Sequence, residues 1–252
     1  MNRRTSVRVA VAIIGAVACM ATLTAQNVPP PLVTAQELLD GLSADGSRWL
    51  MFGGSYTNQR HSPLTQITPE NVNRLAPQWV FQTDTAGRFE TTPLLRDNVL
   101  YVTGPLNVAW AVDARTGREI WRYKRELPPT GNLTACCGLV NRGFGVLGDR
   151  LFMTTLDAHL IALNMKTGGV VWDTTLEDFS KGYASTIAPL VVKDKVIVGV
   201  AGGEYGIRGF IDAYDAKTGA RAWRFYTIPG PGEPGNDTWA AIRGSAAERA
   251  CG

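Results

Sequence analysis

The sequence predicts an all-β protein, a β-propeller of four-stranded antiparallel blades, present here as an incomplete set of about three. Three observations predict it. Trp121, Trp172 and Trp223 stand 51 residues apart. Each closes one version of the same phrase: Val112-Asp113-Ala114-Arg115-Thr116-Gly117, Leu163-Asn164-Met165-Lys166-Thr167-Gly168 and Tyr214-Asp215-Ala216-Lys217-Thr218-Gly219. Short apolar runs, cut by turn residues, precede each phrase. A fixed long period means one supersecondary unit stacked several times. Four short strands repeated at this period are propeller blades. An open β-solenoid or a sandwich is the alternative.

Each element follows from local chemistry. Val99-Leu100-Tyr101-Val102, Leu151-Phe152-Met153 and Val196-Ile197-Val198 are rich in β-branched and aromatic residues and read as strands. Turn signals precede them at Arg96-Asp97-Asn98, Gly148-Asp149-Arg150 and Lys193-Asp194-Lys195. Upstream runs such as Pro189-Leu190-Val191-Val192 supply a first strand, and runs such as Leu160-Ile161-Ala162-Leu163 lead into the Thr-Gly turn. That turn suits a hairpin, because Asp or Asn tolerates the turn start and Gly takes positive φ without steric cost. The Trp after it is an apolar knob able to wedge between sheets. Trp79 comes 42 residues before Trp121 and lacks the Thr-Gly lead-in. It is expected to be a single strand of a blade completed elsewhere.

The domain organisation expected is a leader over 1–25, a linker with helical character over 26–48, the partial propeller over 49–239 and an aberrant tail over 240–252. Arg3, Arg4 and Arg8 precede an uncharged apolar run from Val9 to Leu23, and Leu23-Thr24-Ala25 ends in small residues. This is the pattern of a secretory signal peptide, and the run is short for a membrane span. The expected location is the periplasm, with no stable span after cleavage. The chain holds 25 basic and 22 acidic residues. Removing the three leader arginines balances them, so nothing points to nucleic acid. Cys19 leaves with the leader and Cys251 lies in the tail.

Three features carry chemistry. Cys136 and Cys137 are adjacent in an exported chain. A bridge between them closes a small strained ring, since neighbouring Cα atoms are about 3.8 Å apart; two unlinked thiols in a turn are the alternative. Gly202-Gly203-Glu204 sets bare backbone beside a carboxylate that can coordinate a hard cation, against the alternative of a glycine-rich bulge. Glu90, Arg142 and Thr186 each precede the first strand of a blade. They are expected to converge at one end of the central channel, around a polar ligand. Asp157-Ala158-His159 reads as a strand edge rather than a catalytic pair, and His61 and His159 have no metal-ligand spacing.

With these residues assembled, the chain resembles the pyrroloquinoline quinone (PQQ)-dependent alcohol dehydrogenases, periplasmic quinoproteins of the methanol and ethanol dehydrogenase type. The resemblance runs from about Trp49 to Trp239. It includes Gly53-Gly54-Ser55-Tyr56-Thr57-Asn58-Gln59-Arg60-His61-Ser62-Pro63-Leu64, the vicinal cysteines with Asn141-Arg142-Gly143, and Gly203-Glu204-Tyr205-Gly206-Ile207-Arg208-Gly209. It implies an eight-bladed propeller with PQQ near the axis beneath a Cys136–Cys137 disulfide. It further implies cofactor contacts from Glu90, Cys136, Cys137, Arg142, Thr186, Gly202 and Gly203, and Glu204 as a ligand of Ca²⁺ or a lanthanide. The implied partners are a small alcohol substrate and a cytochrome c acceptor. The family's aspartate base, asparagine metal ligand and tryptophan floor are expected downstream, so no catalytic residue is assigned here.

The blade pattern stops after Trp239, and residues 240–252 read as a frame-shifted or prematurely ended frame. Three functions are therefore in play: the front part of such a dehydrogenase, inactive alone; a non-enzymatic propeller scaffold of the outer-membrane assembly type; and a nonfunctional truncated product. The vicinal cysteines and Glu204 favour the first over the scaffold.

Overall fold

A computed structural model describes residues 32–238 apart from Thr134 and Cys137. The expected leader, Trp239 and the tail lie outside the described residues. Three antiparallel sheets follow one another along the chain. Blade 1 holds β2 (Leu94–Arg96), β3 (Val99–Thr103), β4 (Val108–Asp113) and β5 (Glu119–Lys124), with an added edge strand β1 (Arg48–Trp49). Blade 2 is β6 (Gly145–Leu147), β7 (Arg150–Thr154), β8 (His159–Asn164) and β9 (Val170–Thr175). Blade 3 is β10 (Leu190–Val192), β11 (Lys195–Gly199), β12 (Phe210–Asp215) and β13 (Arg221–Tyr226).

Two expectations change. Blade 1 has a fifth strand, because β1 pairs with β2 through Arg48↔Arg96 and Trp49↔Leu95. Trp79 lies in no strand among the described residues. It is instead a docking residue on blade 1, where its indole N–H donates to Ala114 O at 3.0 Å.

That docking repeats. Trp121 donates to Met165 O at 2.9 Å and Trp172 to Ala216 O at 3.3 Å, each in the Thr-Gly turn of the following blade. Within each turn the Asp or Asn carboxyl or amide oxygen accepts two backbone N–H groups, as Asn164 Oδ1 does from Lys166 at 3.0 Å and Thr167 at 3.1 Å. The closing glycines Gly117, Gly168 and Gly219 hold φ of 72°, 71° and 73°. A Cβ on them would sit 2.7, 2.7 and 2.8 Å from Trp79, Trp121 and Trp172 respectively. Glycine is thus required twice over, by the left-handed backbone and by the indole lying on it. Opposite each outer-strand Trp stands a fully buried alanine, Ala111, Ala162 or Ala213, and a register shift follows at the same place in every blade.

Blade 2 is the most buried unit. Leu151, Phe152, Met153, Leu160, Ile161, Ala162 and Leu163 are all fully inaccessible between their neighbours. The short helix α1 (Ala35–Asp40) begins with a Thr34–Glu37 capping box, which satisfies two otherwise orphaned N–H groups. Glu37 then pairs with Arg48 and Arg96, and Val33 bonds reciprocally with Gly148. These contacts fasten the N-terminal segment to blades 1 and 2.

Ion pairs join blades 1 and 2 near their outer ends. Arg125 follows β5 and reaches Asp157 at 2.8 Å and Asp173 at 2.9 Å. Asp157 sits in the β7–β8 turn, where Ala158 has φ 57° and His159 opens β8, so the strand-edge reading of this triplet holds. Burial pushes the Asp157 carboxyl up, but the hydrogen bonds from Arg125 and Thr155 and the nearby charges of Arg125 and His159 together outweigh it and hold its pKa below the ordinary value. A lowered folded-state pKa gives stability that is complete above the unfolded value, about 3.9, and disappears as pH falls through the folded one. The urea midpoint is therefore expected to drop on acidification below about pH 4, and Asp157→Asn to flatten part of that drop. Parallel pH profiles for the two proteins would refute this assignment.

Candidate functional site

The segments that lead into β2, β6 and β10 lie side by side. Thr92 N–H donates to Arg142 O at 3.2 Å, and Arg142 N–H donates to Thr186 O at 3.1 Å. Successive blades are thus stitched by backbone at the start of their first strands, and this brings three distant side chains into contact. Arg142 Nη2 is 2.8 Å from Glu90 Oε2, and Arg142 Nη1 donates to Thr186 Oγ1 at 2.5 Å. The expected convergence of a carboxylate, a guanidinium and a hydroxyl is what the structure shows, one from each blade.

The setting is half-open. Thr186 is 7 % exposed, while the Arg142 side chain keeps 36 % of its surface. Arg88 approaches Glu90 at 3.6 Å from the rim. Below the triad, Asn141 is buried, its side-chain amide donating to Thr154 O at 2.8 Å while its Oδ1 accepts from Gly143 N–H at 3.0 Å. Asn141 fixes the turn that presents Arg142. Neighbouring Ser185 is fully buried and donates to Gly199 O at 2.8 Å. The site rests on satisfied buried polar groups, which makes it rigid.

The Gly202-Gly203-Glu204 segment is brought alongside. Ala184 and Ala201 exchange backbone hydrogen bonds of 3.1 and 2.8 Å, which sets the glycines beside the Thr186 segment. The two glycines differ in kind. Gly202 has φ 128°, and a Cβ there would lie 2.2 Å from Gly182 O. Its bareness is demanded by the chain's own carbonyl. A Cβ on Gly203 would meet nothing within 4 Å, so this backbone faces open space. Glu204 is exposed on the short 3-10 turn Gly203–Tyr205. Among the described residues no three His, Cys, Asp or Glu side chains gather closely enough to hold a metal ion.

Cys136 is exposed in the turn before Arg142. Cys137 lies outside the described residues, and with it the expected disulfide. Sequence reasoning missed Asn141 and Ser185 as supports of the site; their signal is their position beside Arg142 and Thr186, ahead of an inner strand. Among the described residues no helix is long and apolar enough to cross a membrane.

Comparisons with known proteins agree with the fold. Residues 49–250 match the family described as the glucose/ethanol/alcohol dehydrogenase β-propeller domain, PQQ type. The chain is 48 % identical over 185 residues to quinohemoprotein alcohol dehydrogenase ADH IIB of Pseudomonas putida, covering 73 % of this chain and 27 % of that protein. It is 41 % identical over 192 residues to the 1-butanol dehydrogenase (cytochrome c) of Thauera butanivorans, covering 76 % and 27 %. A solved europium-containing methanol dehydrogenase superposes with a TM-score of 0.73 at 39 % identity, covering 79 % of this chain and 35 % of that one. The chain therefore spans about a quarter of the length of the curated relatives it matches. With a matched family domain over most of its length and three sheets joined through Trp-on-glycine docks, this chain belongs to the PQQ-dependent alcohol dehydrogenase β-propeller family.

Proposed function

We propose that this chain forms the cofactor-binding front of a periplasmic quinoprotein that oxidises a primary alcohol to an aldehyde and passes the electrons to a cytochrome c. The observation that carries the reading is the Glu90–Arg142–Thr186 contact drawn from three successive blades. The donor set fits PQQ, a flat o-quinone bearing three carboxylates. A guanidinium is the side chain best shaped to pair with a carboxylate, and the open space at Gly203 leaves room for a ring to meet bare backbone. When bound, PQQ supplies the quinone that takes two electrons from the alcohol.

The chain's own residues bind and orient. Glu90 and Thr186 each engage one terminal nitrogen of Arg142, and the second N–H of each is available to a ligand carboxylate. Because Arg142 donates to Thr186 Oγ1, the hydroxyl hydrogen must point elsewhere, which makes Thr186 a donor toward a ligand oxygen. Asn141 and Ser185 keep these groups in place before the ligand arrives, so little ordering entropy is lost on binding. Glu204 would give one carboxylate to Ca²⁺ or a lanthanide, the metal class named for the europium-containing neighbour. One exposed carboxylate does not by itself make a metal site. By the family resemblance, Cys136 and Cys137 would form the cover over the quinone.

The test is titration of the purified full chain with PQQ, followed by quenching of tryptophan fluorescence and by equilibrium dialysis. Saturable one-to-one binding, tightened by Ca²⁺ or La³⁺, is expected. Linear, non-saturating uptake at every metal concentration would refute cofactor binding by this polypeptide.

A further inference from the structure

The indole docks leave one tryptophan over. The turns closed by Gly117, Gly168 and Gly219 are filled by Trp79, Trp121 and Trp172. Trp223, next in the series, meets no such turn among the described residues. In blade 1 the cross-strand row Leu94↔Tyr101↔Ala111↔Trp121 lies on the face turned to blade 2, and all four residues are buried. The same row of blade 3 is Leu190↔Ile197↔Ala213↔Trp223. Here Leu190 is 43 % and Trp223 46 % exposed, and Phe225, paired with Ile211 in the neighbouring row, is 64 % exposed. This face continues the pattern of the two blade joints and lacks only the second blade.

The Gly117 turn, at the other end of the array, is filled in a different way. Trp121 and Trp172 ride on outer strands. Residues 76–86 lie in no strand, and among the described residues their backbone makes no hydrogen bond to blade 1. Side chains hold them instead: the Trp79 N–H on Ala114 O, Phe81 edge-on to Trp110 at 6.1 Å, and Asp84 at 3.7 Å from Arg122. The cover is also thinner. Gly168 and Gly219 are buried, whereas Gly117 is half-buried. Leu100 and Val102 stay partly exposed on this face of blade 1, while Leu151 and Met153, at the same places in blade 2, are fully inaccessible.

We infer that copies of this chain associate head to tail, Trp223 of one copy seating in the Gly117 turn of the next, and that Trp79 is the plug it displaces. The two indoles compete for one acceptor. Ala114 O stands at the same place in its turn as the carbonyls of Met165 and Ala216, which receive Trp121 and Trp172. An incoming blade brings more than its indole. Leu190, Ile197 and Phe225 are apolar surface for Leu100, Val102 and Trp110, a burial that the plug supplies only in part. The contact joins two different surfaces, so a pair still carries a free Trp223 at one end and a plugged turn at the other, and can grow. The plug sets the affinity, because only copies with an open turn accept a partner.

Sedimentation velocity of the full chain over a concentration series, without PQQ, reads the association, expected with a Kd of about 10 µM. Trp223→Ala keeps the plug and the strand and is expected to weaken it more than about tenfold. Trp79→Ala removes the competitor and is expected to tighten it roughly tenfold. Adding Trp223→Ala to that variant should return it to monomer, which unspecific sticking of a bared blade 1 would not do. Hydroxyl-radical footprinting of the unaltered chain at low and high concentration needs no variant: Trp223 should become shielded as Trp79 becomes more reactive. Shielding of Trp223 with Trp79 unchanged means a face-to-face pair and overturns the inference. Association that persists in Trp223→Ala overturns it as well. A chain still monomeric at about 200 µM overturns it too, and leaves the blade 3 face to a blade of another polypeptide.

Discussion

Arg142→Ala is expected to weaken PQQ binding by about 100-fold or more, roughly 3 kcal/mol. Two effects add. The substitution removes charge-assisted hydrogen bonds to a ligand carboxylate, and it strips Glu90 of the cation 2.8 Å away. The Glu90 carboxylate then faces an anionic ligand with only the exposed Arg88, 3.6 Å away, to offset its charge. Arg142→Lys separates the two effects, because it keeps the positive charge and loses the planar fork. It should fall between the parent and the alanine variant. The fold should survive in both, since the stitching bond to Thr186 O comes from the Arg142 backbone. Fluorescence titration with thermal unfolding as control measures this. Binding by Arg142→Ala within about threefold of the parent, in a normally folded variant, would remove the triad from the cofactor site.

Trp121→Ala is expected to lower unfolding free energy by about 3–5 kcal/mol, the usual cost of deleting a buried aromatic. Trp121 is 8 % exposed, lies flat against Gly168 and donates to Met165 O. Its loss opens a void between blades 1 and 2 and leaves a turn carbonyl without its partner. Trp223 occupies the same place in the repeat but is 46 % exposed. Trp223→Ala is therefore expected to cost under about 1 kcal/mol. Urea unfolding of the two variants side by side makes the comparison. Equal losses would show that the docks contribute no more than the strand pairing around them.

The blades were readable because both halves of each joint recur at a fixed interval, and hydrophobic runs between turn residues mark four strands in each. The triad was readable for a related reason: Glu90, Arg142 and Thr186 occupy the same position relative to an inner strand, so the period alone brings them together. What escaped is what has no period. Arg48–Trp49 is too short to show alternation, yet it becomes a strand because β2 offers it an unpaired edge. Trp79 resembled a strand residue and proved to be a dock: it lies in no strand among the described residues, and its indole N–H is taken by Ala114 O. The Arg125 pairs join residues 32 and 48 positions apart, a separation no local rule anticipates. Gly202 invited a ligand-based explanation, whereas the Gly182 carbonyl already accounts for it.

The indole-on-glycine joint also bears on how such an array can grow in evolution. Each phrase carries a receiving turn for the preceding blade and, four residues after its glycine, a tryptophan for the following one. A duplicated phrase would bring both mating parts with it, and an inserted blade would find complementary surfaces on either side. Blade number could then change by copying one coding segment, while the loops ahead of the inner strands diverge toward new chemistry.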